Sequence, residues 1–356
     1  MTLAVNIAQG GSNNVTMRNR IINGAMTVSQ RLGTSATANT ISDYTLDRWA
    51  VNQSTTGKLI VQQNAGSVTP PAGFSNYLGV TSQSAYTVGA SDYYLIAQPI
   101  EGFNAYDLNF GTSNAKTVTL SFQVYSSLTG TFGGSLRNYA GTRSYPFTYT
   151  ISSANTWTTI SITIAGDTSG TWVGATNAGW GYVYFGLGVG STYSGTTGSW
   201  SGNNYVSATG ATSVVGTNGA TFYITGVQLE AGTTASPFEY RQYGTEYNLC
   251  QRYFQLLQGG GGRWGSTQAN FIYTTVLPVS MRASPTLSVQ GTVTIENYAG
   301  NNATVGSIGS TTGLYPNGLG YVVLALSGAS GSPVQGYGGE LYVGSSSSGI
   351  ATSAEL

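Results

Sequence analysis

Charge is scarce in this chain: Asp, Glu, Lys and Arg make up 7% of the 356 residues, against roughly a quarter in an average globular sequence. The 12 basic and 12 acidic residues cancel, and among the basic ones only Lys58 and Lys116 are lysines. Nucleic acid is thereby disfavoured as a partner, since its binding draws on a stripe of Lys and Arg neutralising phosphates. No run of about 18 apolar residues and no basic amphipathic helix is found, so no membrane insertion is expected. The first ten residues lack the charged-then-apolar layout of a secretory signal, so release from a cell would fall to lysis or to a particle. Histidine is absent and cysteine occurs once, at Cys250. That excludes an internal disulfide, Cys-based zinc clusters, and Ser-His-Asp or Cys-His nucleophile systems. No metal site and no cofactor are expected, with a Ca²⁺ held by carboxylate and backbone oxygens left open although no dense Asp/Asn loop points to one, and the catalytic inventory shrinks to carboxylates, Tyr, Arg and Lys.

Neutral hydroxyls and amides take the place of charge, together with 51 Gly, in runs such as 198–204. From about residue 47 to 229, short stretches rich in Val, Ile, Thr, Tyr and Phe alternate apolar with polar, the period-two mark of a half-buried strand. Residues 116–125 put Val118, Leu120, Phe122 and Val124 on one face and Thr117, Thr119, Ser121 and Gln123 on the other. Residues 156–164 read as a second such strand carrying Trp157, Ile160, Ile162 and Ile164, and 180–189 and 221–229 as further members. With no helical period between them, these segments predict an all-β protein built on an antiparallel jelly-roll-type β-sandwich. A β-solenoid would need a fixed repeat length, which the sequence lacks.

Residues 239–257 are the one stretch with helical spacing, placing Leu249, Tyr253, Leu256 and Leu257 together behind Thr245 as N-cap. Gly259 to Gly262 follow, and four glycines in a row favour a flexible link. A chain of this length exceeds one ordinary core, which stops growing near ~250–300 residues. The organisation expected is a polar anchoring segment 1–17, a β-sandwich domain 18–238, a short helix with glycine linker 239–262, and a smaller C-terminal β domain 263–356. Strands of that last domain are predicted near 271–279, 286–297, 320–326 and 337–343. Residues 1–17 read equally as a strand exchanged between subunits.

Five blocks, 18–31 (RNRIINGAMTVSQR), 44–49 (YTLDRW), 227–253 (VQLEAGTTASPFEYRQYGTEYNLCQRY), 278–287 (PVSMRASPTL) and 353–356 (SAEL), together resemble a family of phage and prophage structural proteins described as tail-fibre or carbohydrate-binding-module-like. The resemblance implies a sandwich of carbohydrate-binding-module type on a virion, an extracellular particle assembled in the host cytoplasm. It implies a homotrimer attached to other virion proteins through the N-terminal segment. A tail fibre that recognises host surface polysaccharide is the leading expectation; a non-binding component, such as a capsid decoration, head fibre or baseplate-proximal adaptor, is the alternative. The charges gather in these blocks, with Arg18, Arg20, Asp47 and Arg48 near one end and Glu239, Arg241, Glu246 and Arg252 around the helix. Paired charges tolerate burial, so these residues read as ion pairs fixing the ends of the sandwich or subunit contacts, with plain solvated charge as the alternative. A short helix needs packing partners; its own sandwich and symmetry mates are both open, the second favoured.

Aromatic faces suit the C–H face of a sugar ring, and neutral amides and hydroxyls suit its rim. Trp200, in a Gly/Ser/Asn loop with Asn203, Asn204 and Tyr205, is the first candidate glycan site; core filling is the competing reading and the better one for Trp172 and Trp180. Alternation sends Tyr182 and Tyr184 to one face and Val183 and Phe185 to the other. A second candidate lies beyond the glycines, with Arg263, Trp264 and Tyr273 alongside Tyr298 and Tyr315. The enzymatic rival is a depolymerase using two of Asp43, Asp47, Asp92, Glu101, Asp107 and Asp167. None forms a motif, and the expectation is that the protein is not an enzyme.

Overall fold

The computed structural model describes residues 17–38, 42–264, 270–274, 276–297, 302–310, 321–327, 338–343 and 348–356. Alternation along the strands builds two facing six-stranded antiparallel sheets. One runs in the order β1 (Thr37–Ala38), β4 (Leu59–Gln63), β5 (Leu78–Ser82), β14 (Thr221–Ala231), β7 (Val118–Ser126), β10 (Thr158–Ile164). The other runs β2 (Ser42–Leu46), β3 (Trp49–Gln53), β6 (Tyr93–Glu101), β11 (Gly179–Val189), β8 (Gly130–Asn138), β9 (Ser144–Ile151). On β7, Val118, Leu120, Phe122 and Val124 are all buried, each stabilising the fold by about 1.5–3 kcal/mol. From the facing sheet β11 sends Val183, Phe185 and Leu187 into the same core, and Phe122 meets Phe185 edge-on at 5.0 Å. The chain is thus an all-β, antiparallel sandwich, as the period-two pattern predicts.

Trp157 departs from its predicted face. It immediately precedes β10, so parity puts it opposite Ile160, Ile162 and Ile164, on the outer face, where it packs on Tyr77 at 5.5 Å and on Tyr125 at 5.5 Å. Period two alone forbids the grouping proposed from composition.

Among the described residues two α-helices interrupt the strands, a single turn α1 (Gly102–Ala105) and the longer α2 (Tyr243–Gln251). The second begins after Gln242, with no side-chain cap, so Thr245 lies inside it and is not its N-cap. It also stops early: β15 (Phe254–Leu257) is a strand paired with β23 (Gly349–Ser353). A run such as Phe-Gln-Leu-Leu fits either period, and a partner far along the chain decides between them. Beyond it, β15, β23 and β18 (Thr286–Gln290) form a three-stranded sheet. A closed barrel runs β16 (Gly261–Trp264), β17 (Asn270–Thr274), β21 (Tyr321–Ser327), β20 (Asn302–Ser310), β19 (Val293–Asn297), β22 (Gly338–Val343). The predicted flexible link is accordingly half strand. A Cβ on Gly262 would stand 2.2 Å from the Ile272 carbonyl oxygen and 2.6 Å from the Phe271 ring, so glycine is there to let β17 approach.

The charged residues of the five blocks meet where the sandwich joins α2 and the three-stranded sheet, and their pairs form within the chain. Arg18 lies 3.5 Å from Glu230, and Arg20 2.8 Å from Asp107. Glu239 accepts the backbone N–H of Asn19 at 2.7 Å, while Arg241 bonds Glu239 and Glu246, each at 3.2 Å. Arg252 holds the fully buried Glu101 through two bonds of 2.6 and 3.0 Å, and Tyr253 donates its hydroxyl to the same carboxylate. Asp47 and Arg48, neighbours in sequence, serve different partners. Asp47 accepts the Gln30 backbone N–H at 2.7 Å and the Gln30 amide at 2.6 Å; burial raises its carboxyl above the usual range, although Arg31 and Gln30 oppose this. Arg48 instead donates to Glu355 and to the Pro99 carbonyl oxygen, with its guanidinium 3.6 Å from the centre of the Tyr253 ring. Apart from Arg18, whose side chain is 42% exposed, these residues are paired and largely buried, and plain solvated charge is not their role. The helix has packing partners within the chain: α2 docks on its own sandwich, where Glu246 accepts the Asn23 backbone N–H and Cys250 packs with Ile22, Val28 and Tyr253. The cause is the apolar and amide-rich segment 19–28, which offers α2 partners inside the same chain.

Candidate functional site

The second sheet turns one set of alternating residues to the core and the other outward. Outward positions brought side by side include Asn52 on β3, Tyr93 and Leu95 on β6, Tyr184 on β11 and Arg137 on β8, with Asn52 opposite Leu95 and Arg137 opposite Tyr182. The loop after β11, carrying the short parallel pair β12 (Ser194–Gly195) and β13 (Ser207–Ala208), folds back over this face. Missing side chains let it come close: a Cβ on Gly186 would stand 2.5 Å, and one on Gly133 2.7 Å, from the Ser207 hydroxyl. Between sheet and loop lies a cleft of about 260 Å³, whose loop wall is made by Tyr193, Asn204 and Val206.

Inside it, Tyr93 and Tyr193 meet edge to face at 5.7 Å and 87°. Tyr139, Tyr182 and Tyr184 stack in a ladder at 5.2 and 5.1 Å, with interplanar angles of 13° and 19°. The Arg137 guanidinium covers Tyr182 and Tyr184 at 5.2 and 5.0 Å and donates to the Asn204 side-chain oxygen. Burial raises the Tyr184 phenol well above its ordinary value, with Arg137 opposing, so it remains a neutral donor and acceptor. The lining offers aromatic faces, one cation and amides, and contains no carboxylate. Such a surface can stack on apolar ring faces and hydrogen-bond to hydroxyls. Gly133→Ala is expected to push the loop off the sheet, costing about 1–3 kcal/mol of stability and opening the cleft; a denaturant series on the variant checks this.

Of the residues singled out in the sequence, Asn204 lines this cleft. Asn203 and Tyr205 support it from the same loop: the Asn203 amide donates to the Tyr205 hydroxyl at 3.1 Å, and Ser144 donates to the Asn203 carbonyl oxygen at 2.7 Å. Trp200 is not a free loop side chain. It is half-buried, donates to the Ala165 carbonyl oxygen at 2.7 Å, and packs on Phe110, Tyr145 and Trp172 at 5.4 to 5.7 Å. Trp180 is core and Trp172 packs against it. Trp264 and Tyr273, offered as distal sugar contacts, are buried in the barrel core at 1% and 0% exposure, because a closed barrel turns every second residue inward. Arg263 is exposed on β16. Tyr298 and Tyr315 lie outside the described residues, as do residues 1–16 and the side chain of Asp43. Reading the sequence missed Asn52, Tyr93, Leu95 and Arg137. Alternation marked their faces, but nothing local said that their four strands are neighbours.

Asp92 and Asp167, two further carboxylates of the sandwich, are engaged elsewhere. Asp92 accepts bonds from Gly89, Ser54 and Tyr86 at 2.8 to 3.0 Å, which hold its carboxyl below the usual range. Asp167 is gripped by Arg143 through bonds of 2.7 and 2.8 Å and accepts the Trp172 indole N–H at 3.1 Å. Among the described residues no group of three or more Asp, Glu or Cys is placed to hold a metal ion, and no helix is long and apolar enough to cross a membrane.

No family model matches the chain, and no curated protein matches it. Solved structures similar to it include the enzymatically active domain of tailspike protein 4 from bacteriophage CBA120, at 14% identity and a TM-score of 0.34 over 60% of this chain. The match spans 22% of that tailspike chain. A putative sugar binding protein from Bacteroides thetaiotaomicron is similar at 12% identity and a TM-score of 0.34, over 60% of this chain and 100% of the other. The family 11 carbohydrate-binding module from Clostridium thermocellum, solved with a β-1,3-1,4-mixed-linked tetrasaccharide, is similar at 13% identity and a TM-score of 0.28, over 57% of this chain and 99% of the other.

Proposed function

We propose that the protein is a glycan-recognising component of a phage virion, of tail-fibre type, that holds saccharide without cleaving it. The observation that carries the reading is the cleft on the second sheet, where Tyr93, Tyr184 and Tyr193 surround an Arg137 guanidinium and the amides of Asn52 and Asn204. At about 260 Å³ it lies just below the ~300–1,000 Å³ of typical small-molecule sites, a size for a short stretch of a longer chain. A non-catalytic role is supported by the carboxylates, since glycoside hydrolysis needs two of them about 5–10 Å apart across the bond. Asp47, Asp92, Glu101, Asp107 and Asp167 are instead bonded to Gln30, Ser54, Arg252, Arg20 and Arg143. The virion setting rests on the five sequence blocks, and homotrimerisation would raise weak single-site binding by avidity.

Retention on an array of bacterial surface polysaccharides, read together with released reducing sugar, tests this. Arg137→Ala and Tyr193→Ala are each expected to weaken retention about tenfold, the equivalent of about 1.4 kcal/mol from stacking and cation–π contact, with no sugar released by the wild type. Sugar release would overturn the non-catalytic reading. Light scattering on the purified protein tests the trimer. A non-binding structural role is the alternative, favoured by the exposed rings of Phe103 (51%) and Tyr106 (50%) beside the charged junction, which an assembly would cover; wild-type protein retained by no polysaccharide would select it.

A further inference from the structure

The opposite face of the sandwich carries a second, larger hollow that the reading above does not use. It measures about 530 Å³, within the ~300–1,000 Å³ range of ligand sites, and its floor includes Ser121, Gln123, Thr159 and Ser161 from β7 and β10. One wall is a cluster of Phe74, Phe238 and Tyr240, with ring centres 4.9 to 5.6 Å apart. No charged side chain lines it.

The wall is built from the segment leading to α2. Glu239 and Arg241 are tied inward, Glu239 by the backbone N–H groups of Arg18 and Asn19, Arg241 by the carbonyl oxygens of Ile21 and Asn19. The residues between and before them, Tyr240 and Phe238, line the hollow. Phe74 completes the wall through a close approach: Gly226 sits at a register shift of β14 with φ +62°, and a Cβ there would stand 2.6 Å from the Phe74 ring. Tyr240 nevertheless remains 60% exposed. On the floor, the Thr159 hydroxyl donates to the Gln123 side-chain oxygen at 3.0 Å, which orients that amide and leaves its nitrogen for a ligand.

We infer that this hollow is a second saccharide site, selective for neutral glycan. A wall of three aromatic rings above a floor of hydroxyls and an amide matches a ring with apolar faces and hydroxyl edges, and the uncharged lining gives no partner to an acidic sugar. It differs in this from the first cleft, where Arg137 offers a cation. Two sites on opposite faces would let one sandwich engage two strands of polysaccharide, so avidity begins within a single chain. The inference rests on the glycan-binding reading for its ligand class, while its residues are separate.

Isothermal titration of the full chain with a panel of neutral oligosaccharides, hexamers of α- and β-linked glucose, galactose and mannose, tests it alongside Tyr240→Ala, Gln123→Ala and Arg137→Ala. Tyr240 and the floor of the hollow face solvent, so these substitutions leave the core intact, and circular dichroism of each variant verifies the fold. The expected result is two sites per chain for at least one hexamer, falling to one in Tyr240→Ala and in Gln123→Ala, and to the other one in Arg137→Ala. A single site removed by Arg137→Ala and untouched by Tyr240→Ala overturns this inference and leaves the proposed function standing. A single site removed by Tyr240→Ala alone supports this site and overturns the first cleft. No binding by any hexamer overturns this inference, while acidic polysaccharide retained through Arg137 would still uphold the proposed function.

Discussion

Glu355→Ala should lower the stability of the protein by about 3–5 kcal/mol and separate its thermal unfolding into two steps. Glu355 stands between two arginines of the sandwich, 3.0 Å from Arg31 and in direct contact with Arg48, whose side chain is 1% exposed. Burial alone would lower the Arg48 pKa, but the Glu355 carboxylate and the Tyr253 ring beside it more than reverse this. Removing the carboxylate strands a buried cation, the costly half of breaking a buried pair. The same contact joins the sandwich to the region of β23, supported by Arg282 donating to the carbonyl oxygens of Ala354 and Asn177 at 2.8 and 2.7 Å. Loosening it should therefore uncouple the two cores. Scanning calorimetry checks the expectation, and the double variant Arg48→Met/Glu355→Leu should recover most of the loss, because the buried Arg48 cation goes with its carboxylate and Arg31 keeps Asp47 at 3.8 Å. A single variant as stable as the wild type would show that the contact contributes nothing.

Above pH 10 the protein should lose at least about 4 kcal/mol of stability per pH unit through three buried phenols, with Tyr44 and Tyr182, also raised by burial, steepening the slope further. Tyr149, Tyr184 and Tyr253 are 5%, 4% and 0% exposed, and burial raises each phenol well above its ordinary value, with Arg137 opposing at Tyr184 and Arg48 at Tyr253. In the unfolded chain each ionises near 10, so above that pH the folded state binds more protons than the unfolded one. Stability from these groups is intact below pH 10 and is lost as pH rises beyond it, by about 1.4 kcal/mol per unit for each phenol. Denaturant midpoints measured at pH 8, 10 and 11 check the slope, and Tyr149→Phe should reduce it by the contribution of one phenol, about 1.4 kcal/mol per pH unit. The same substitution should cost little at pH 8, since the buried Tyr149 hydroxyl makes no hydrogen bond among the described residues. An unchanged slope in Tyr149→Phe would exclude that residue as a contributor.

The strand of residues 116–125 shows how much was legible locally. Its alternation named the four core residues of β7, since a pleated strand exposes successive side chains to opposite faces whatever its neighbours are. The same rule, applied strictly, also places Trp157 on the outer face. Residues 254–257 show the limit: their pattern tolerates helix or strand, and β23, brought alongside by the fold, decided for strand. Trp264 was misplaced for a related reason. Glycines around it look like loop composition, yet they admit close-packed strands of a closed barrel, and the ring points inward.

By itself the sequence determined the all-β class, most strand faces, the exclusion of His- and Cys-based chemistry, and the gathering of charge into a few blocks, because composition and period are properties of neighbouring residues. Tertiary structure alone decided which charges pair and where a ligand can sit. Arg48 and Glu355 meet from opposite ends of the chain, and Asn52, Tyr93, Arg137 and Tyr184 share one cleft because the order β3–β6–β11–β8 lays four separate strands side by side. Strand order follows from the global packing of two sheets around one core, and no local pattern encodes it.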